Sequence, residues 1–237
     1  MTTYESVKKE IFIQVSPKRV WQALIIPSER NKWETNKCEI DLRVGGKIEL
    51  DYGWGVDYSG TITEVVENER LVIQGSGDAL TIWTITPQNN GSLVTIEYTG
   101  LWSGDIGIME MENMAFGTYQ FLKNFKSVLE SQGDIRQTFW ISWIGVYHRS
   151  AESEGVKVVK VVKDTPGDGK IKVGDIILSL NGTEVNSYDE LESIVTEIGA
   201  GKDLALDIVR GGERVDVHIT TVPYGQKVEP TCSLYSL

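Results

Sequence analysis

The chain has 237 residues, 41% of them apolar and seven of them Trp, which excludes a disordered polypeptide and is enough to fill two ordinary cores. Its formal charge of -11 is spread along both halves and argues against nucleic acid or an anionic membrane surface as a partner. No run of 18 uncharged apolar residues occurs, so no membrane insertion is expected. The N-terminus lacks an apolar core of signal-peptide length, so a cytoplasmic chain is expected. Cys38 and Cys232 stand far apart and are expected as free thiols, with neither a metal cluster nor a disulfide framework.

In chain order, Glu10 to Val15 reads as a short strand. Ser16-Pro17 then reads as an N-cap followed by proline at the first helical position, opening a helix over Lys18 to Leu24 that Pro27 ends. Two-residue alternation follows in six segments: Cys38 to Val44, Gly46 to Trp54, Ser59 to Glu67, Arg70 to Gly75, Thr81 to Pro87 and Ser92 to Leu101. Gly45-Gly46, Glu67-Asn68-Glu69 and Gln88 to Gly91 are hairpin connections, so the sheet is mainly antiparallel. From about Met111 the period becomes helical through Ala115, Thr118, Leu122, Phe125 and Leu129, and Gly133 stops the helix. The expected fold is α+β, an antiparallel sheet wrapped around one long C-terminal helix.

Residues 133–138 read as a short linker. Beyond it, strands are expected at Ile141 to Tyr147, Gly155 to Val162, Asp175 to Leu180, Asp203 to Arg210 and Glu213 to Thr221, with a helix at Tyr188 to Ile198 and a two-residue turn at Gly211-Gly212. Residues 223–237 show no core-forming periodicity and read as a mobile tail. The organisation expected is therefore 1–132, linker, 139–222 and tail.

Two stretches carry resemblances. The run V-S-P-K-R-V-W-Q-A-L, with Trp33 twelve residues after Trp21, then R-V-G-G-K-I-E-L and the final F-L-K-N-F-K-S-V-L-E, resembles the START-related helix-grip superfamily (SRPBCC), and within it the AHSA-type branch. The stretch Pro166 to Val185, with Val173-Gly174-Asp175, the run Ile176 to Leu180 and the Asn181-Gly182 turn, resembles the central motif of a PDZ domain of the bacterial HtrA type. The first resemblance implies a helix-grip domain that often encloses a cavity. The second implies a partly open β-barrel with a groove helix. In HtrA-type proteases a PDZ domain follows a serine-protease domain, whereas the stretch preceding it here has no match to that protease.

The PDZ resemblance implies peptide capture by strand addition, the peptide carboxylate being held by backbone N–H groups of a glycine-bearing loop. Trp143-Ile144-Gly145-Val146 fits that loop, with Val146 starting the pairing strand. On the helix, Leu191, Ile194 and Ile198 form a core stripe. Tyr188, Glu192 and Val195 form the neighbouring stripe facing the groove, Val195 flanking the last peptide side chain and Tyr188 favouring an apolar or aromatic residue two positions earlier. The terminal Tyr235-Ser236-Leu237 matches that ligand type, so self-association through the tail is a further expectation. In the first domain, alternation places Ile48, Leu50, Tyr52 and Trp54 on one face. Tyr52, Trp54, Trp83, Tyr98, Met111, Met114 and Phe116 are expected to line a cavity for a hydrophobic small molecule.

Catalytic signals are sparse. His218 alternates with Val217 and Ile219 and is expected to face solvent, and His148 has no nucleophile beside it in sequence. No His/Cys/Asp cluster has zinc spacing, and no glycine-rich turn precedes a helix, so neither metal nor cofactor is expected. The reading is a two-domain binding protein, an adaptor or ligand-responsive scaffold. The alternatives are a co-chaperone activating a heat-shock-protein ATPase, which the AHSA resemblance implies, and an enzyme using a buried Tyr or Glu on a hydrophobic substrate.

Overall fold

The computed structural model describes residues 2–228, which fall into two compact units. One comprises the chain up to Gly104 together with Met114–Gln137; the other comprises Asp105–Asn113 with the chain from Thr138 onward.

The first unit contains β1 (Thr3–Ile13), α1 (Pro17–Ile25), the single turn α2 (Pro27–Arg30), β2 (Lys37–Ile40), β3 (Lys47–Asp51), β4 (Asp57–Val66), β5 (Arg70–Gln74), β6 (Leu80–Gln88) and β7 (Gly91–Ser103). Strands β2 to β7 form a meander and β1 returns to pair antiparallel with β7, giving the order β1-β7-β6-β5-β4-β3-β2. The Ser16 hydroxyl caps α1 by accepting the Arg19 N–H at 3.4 Å, with Pro17 opening the helix. The long helix α3 (Gly104–Leu129) contributes Leu122, Phe125 and Leu129 to the core. In that core Trp33, fully buried, stacks on Phe125 at 4.1 Å and meets Trp83 edge-on at 6.2 Å.

Two expectations about α3 are corrected. It starts at Gly104, seven residues before the apolar period begins, with Asp105 in the first turn where negative charge suits the helix dipole. It ends before Gly133. Ser131 takes the left-handed position (φ 61°), and its N–H bonds Val128 O at 3.2 Å while the Gln132 N–H bonds Ser127 O at 2.7 Å, a Schellman motif built on serine. Residues 134–136 are not slack: Ile135 N–H donates to Asn124 Oδ1 and Arg136 reaches the carbonyls of Thr35 and Asn31.

The second unit contains β8 (Ser142–Trp143), β9 (Val146–Ser150), β10 (Val156–Val161), β11 (Ile176–Leu180), β12 (Thr183–Glu184), α4 (Tyr188–Glu197), β13 (Asp203–Arg210), β14 (Glu213–Thr220) and β15 (Val222–Pro223). The sheet runs β14-β13-β11-β10-β9, and among the described residues it does not close into a barrel and β9 is an edge strand. The Gly174-Asp175 motif is architectural. Asp175 is buried and pairs both carboxylate oxygens with Arg210 at 2.7 and 2.9 Å, tying the turn before β11 to β13. Asn181 Oδ1 accepts the Ala205 N–H at 2.9 Å, fixing the next turn.

The strand expected over Ile141 to Tyr147 is split into β8 and β9 by the Ile144-Gly145 loop. The tail also departs from expectation: Val222–Pro223 pairs with β8, and Tyr224 packs on Trp143 with ring centroids 5.4 Å apart. Residues 229–237, including Cys232 and the Tyr235-Ser236-Leu237 terminus, lie outside the described residues. Among the described residues no helix is long and apolar enough to cross a membrane, and no three His, Cys, Asp or Glu side chains are arranged to hold a metal.

A candidate peptide groove between β9 and α4

The loop at the head of β9 is fixed from behind. Ile144 O accepts the Gly167 N–H at 2.9 Å and Gly145 O accepts the Val162 N–H at 2.8 Å. In a trans peptide the N–H points opposite to the C=O, so the amides of Gly145 and Val146 are turned away from the 162–167 turn. Gly145 needs its glycine: φ is +79°, and a Cβ would stand 1.9 Å from Thr165 Oγ1. The register of Val161 against Val146 makes the pair non-hydrogen-bonded, so the Val146 backbone faces the open edge. Ser142, fully buried, donates its hydroxyl to Val195 O at 2.6 Å and joins β8 to α4.

Helix α4 opens on Ser187, whose hydroxyl accepts the Glu190 N–H at 3.3 Å, while the Glu190 carboxylate accepts the Asn186 N–H at 2.7 Å. The hollow between β9 and α4 is lined by Trp143, Ile144, Val146, Tyr188 and Val195, together with Leu191, Glu192, Tyr147, His148, Asn113 and Tyr224. Five of the six residues expected at the groove thus line one hollow, with Gly145 in the loop at its mouth. Leu191, expected in the core, lines it too while remaining fully buried.

Both ends of the hollow are covered by residues of this unit. At the far end the Ser150 N–H donates to Glu112 Oε2 at 2.8 Å and the Tyr188 hydroxyl donates to Asn113 Oδ1 at 2.9 Å. At the loop end Tyr224 lies on Trp143, whose indole N–H donates to Gln226 O at 2.9 Å. About 20 Å³ of free volume remains, room for about one water.

The hollow carries a buried imidazole and a half-buried carboxyl group. His148 is 2% exposed and stacks on Tyr188 at 4.5 Å, and neither ring nitrogen has a hydrogen-bond partner among the described residues. Burial pushes the imidazole down to about 4, against the opposing backbone groups of Tyr188 and Val146, which lie near the ring without meeting hydrogen-bond geometry. Glu192 is pushed up to about 7 by burial alone. Sequence reasoning passed over His148, Glu112, Asn113 and Tyr224. Only His148 left a signal, lying two residues after Val146 and hence on the same face of the strand.

In the first unit Trp83, Tyr52 and Tyr98, expected to line a cavity, belong to one core cluster, while Trp54 opens to solvent. Trp83 is core, packed on Trp33. Tyr52 and Trp54 cluster with Phe121 at 5.5 to 5.9 Å, with Trp54 55% exposed. Tyr98 bonds Thr118 Oγ1 at 3.0 Å. Phe116 is buried, Met114 is half-buried, and Met111, also buried, belongs to the other unit. A hollow of about 290 Å³ opens instead beside Lys37, Glu39, Glu49 and Asp57. Burial pushes the Tyr52 and Tyr98 hydroxyls up, so both stay protonated. Arg30 and Glu34 form a buried ion pair nearby.

Residues 14–130 match the family described as Activator of Hsp90 ATPase homolog 1-like protein, and residues 142–221 match the PDZ domain. The chain is similar to DegQ of Escherichia coli, a periplasmic pH-dependent serine endoprotease, at 31% identity over 55% of this chain and 30% of that one. It is similar to a DegP-like probable periplasmic serine endoprotease of Hahella chejuensis at 25% over 89% of this chain and 51% of that one. Against a putative serine protease HhoA of Synechocystis the identity is 34% over 30% of this chain and 18% of that one. The chain thus spans about half or less of the length of these relatives. Among solved structures, protein SSP2350 of Staphylococcus saprophyticus matches with a TM-score of 0.50 at 17% identity, covering 55% of this chain and 96% of that one, a likeness of fold. The chain therefore carries an AHSA1-type domain of the SRPBCC class at its N-terminus followed by a PDZ domain of the HtrA type, a pairing that supports a binding or adaptor role.

Proposed function

We propose that the chain is an adaptor that captures the C-terminal end of a partner polypeptide between β9 and α4. The observation that carries this reading is the edge strand β9, headed by a loop whose amides are turned outward by the bonds from Val162 and Gly167 to Gly145 O and Ile144 O. An extended peptide adds to such an edge through main-chain bonds, and outward amides hold its carboxylate. Val195, Ile144 and Val146 supply the apolar seat for the last side chain. Entry displaces Tyr224 from Trp143, a contact that is exposed on the Tyr224 side.

The first domain, in the same reading, offers an apolar surface for a hydrophobic small molecule or a partner. Its support is the Tyr52, Trp54 and Phe121 cluster, open to solvent at Trp54. The serine-protease names of the relatives belong to proteins of which this chain spans about half or less.

The test is hydrogen exchange of the full chain with a hexapeptide ending in free-acid leucine and with its C-terminal amide. The expected outcome is protection of β9 and of the 143–146 loop by the acid, at least tenfold weakened for the amide. Binding that leaves β9 unprotected, or that ignores the carboxylate, would place the site elsewhere.

A further inference from the structure

The hollow between β9 and α4 is apolar at the loop end, but its middle is not. Glu192 follows Tyr188 by one helical turn and precedes Val195 by three residues, and it lines the same hollow. It has no hydrogen bond or ion pair among the described residues. His148 on β9 lines the same hollow and presents two buried ring nitrogens without partners among the described residues. The Tyr188 hydroxyl, by contrast, already donates to Asn113. A neutral imidazole offers one acceptor nitrogen and a carboxylate offers two acceptor oxygens. The imidazole also carries one N–H donor, so what the groove lacks is a cation.

Helix and strand spacing say where that cation would sit. Along α4, Glu192 lies about 4.5 Å and Tyr188 about 10.5 Å from the level of Val195. A peptide whose last side chain sits at Val195 places the side chain two residues earlier about 6.7 Å along the same face, between Glu192 and Tyr188. A lysine or arginine there would lay its aliphatic stem against the stacked Tyr188 and His148 rings, 4.5 Å apart, and bring its charged head to the Glu192 carboxylate.

Resting on the peptide-capture reading, we propose that Glu192 and His148 set the specificity of this groove, selecting partners whose antepenultimate residue is lysine or arginine. This replaces the apolar or aromatic preference that Tyr188 by itself would give. The titratable groups around Glu192 are Tyr188 and Asp189 on its own helix, His148 and Tyr147 on β9, Glu112 at the far end and Tyr224 over the loop. Burial carries His148 down to about 4 and Tyr224 up to about 12, so neither changes charge between pH 6 and 8. Glu192, at about 7, does. A cation beside it favours the ionised form, so binding releases a proton near neutral pH and tightens as pH rises through 7. Each unit by which the ligand lowers the carboxyl corresponds to about tenfold in affinity above that pH.

The experiment is titration calorimetry of the full chain with three free-acid hexapeptides identical except for Lys, Leu or Glu at the antepenultimate position, at pH 6 and pH 8, in two buffers of different ionisation enthalpy. The expected result is Lys tighter than Leu by about tenfold at pH 8, a smaller preference at pH 6, and proton release with Lys alone. In Glu192→Gln, which keeps the side-chain shape, the preference and the proton release should both vanish while the Leu peptide still binds. Leu binding as tightly as Lys, or a Lys preference that survives in Glu192→Gln, overturns the proposal and leaves peptide capture standing. Failure of all three peptides to bind overturns both.

Discussion

Replacing Gly145 by alanine tests how the carboxylate loop is held. The backbone sits at φ +79°, and an L-residue held left-handed costs about 1 to 2 kcal/mol. The new Cβ would also stand 1.9 Å from Thr165 Oγ1 and 2.2 Å from Thr165 Cβ. Rotating Thr165 gives no relief, because its Cβ is itself part of the overlap and its hydroxyl donates to Val162 O at 2.6 Å. The loop must move instead, loosening the bonds from Val162 and Gly167 that orient it, each worth about 1 kcal/mol. The expected destabilisation is about 3 to 4 kcal/mol. Urea unfolding read by hydrogen exchange in β9, β10 and β13 reports this unit separately from the other. Thr165→Gly removes all three overlapping atoms, so the double variant should be less destabilised than the sum of the singles by about 2 kcal/mol. Additivity of the two changes, or a cost for Gly145→Ala below about 1 kcal/mol, would show that the loop is not constrained in this way.

Glu192→Gln should flatten one limb of the stability–pH curve. The carboxyl is raised from 4.5 to about 7 on folding, so the native state favours its proton. That stability is complete below 4.5 and is lost as pH rises through 7, by at most about 3 kcal/mol at pH 8. Denaturant melts at pH 5 and 8 should show the variant gaining on the wild type only at the higher pH. His148 acts at the other limb. Its pKa is depressed from 6.5 to about 4, so its contribution is present above 6.5 and lost as pH falls through 4, and His148→Gln should soften acid unfolding of this unit. In the first unit, Arg30→Met leaves Glu34 buried without its partner and should cost about 3 to 5 kcal/mol, much of it recovered in the double variant Arg30→Met/Glu34→Leu by thermal melting. Asn124→Ala removes the bonds to Trp33 O and from the Ile135 N–H, both 2.7 Å, and should cost about 2 to 4 kcal/mol in the same assay.

Local chemistry was enough to find the elements of both domains. Ser16-Pro17 marks a helix start, and the alternation of β2 to β7 with short polar turns leaves little choice but a meander. The V-G-D and N-G turns around β11 declare the second domain because their backbone geometry admits few residue types. The apolar stripe of α4 likewise places Tyr188, Glu192 and Val195 on one face, since i, i+4 and i+7 coincide on any helix. Where α3 begins was not legible, because its first turns carry no apolar period and are grouped by packing with the second unit. Nor was the stop at Ser131, where hydrogen bonds to Val128 and Ser127 hold a serine in a conformation that glycine usually takes. For the same reason the expected cavity lining was only partly legible: Trp83, Tyr52 and Tyr98 share one core, whereas Trp54 is exposed and Met111 belongs to the other unit. Alternation fixes which face Trp83 and Trp54 share within a strand, but whether a face meets Trp33 or solvent depends on residues far away in sequence. Pairing partners separated by many residues decided the rest: Glu112 on Ser150, Asn113 on Tyr188 and Tyr224 on Trp143. Both folds and the stripe of α4 that faces the groove follow from local residue patterns. That Tyr224 and Asn113 pack over this groove, and that a carboxyl group and an imidazole stand in it without partners among the described residues, follows from the tertiary structure, because burial is a property of everything packed around a side chain and not of its neighbours along the chain.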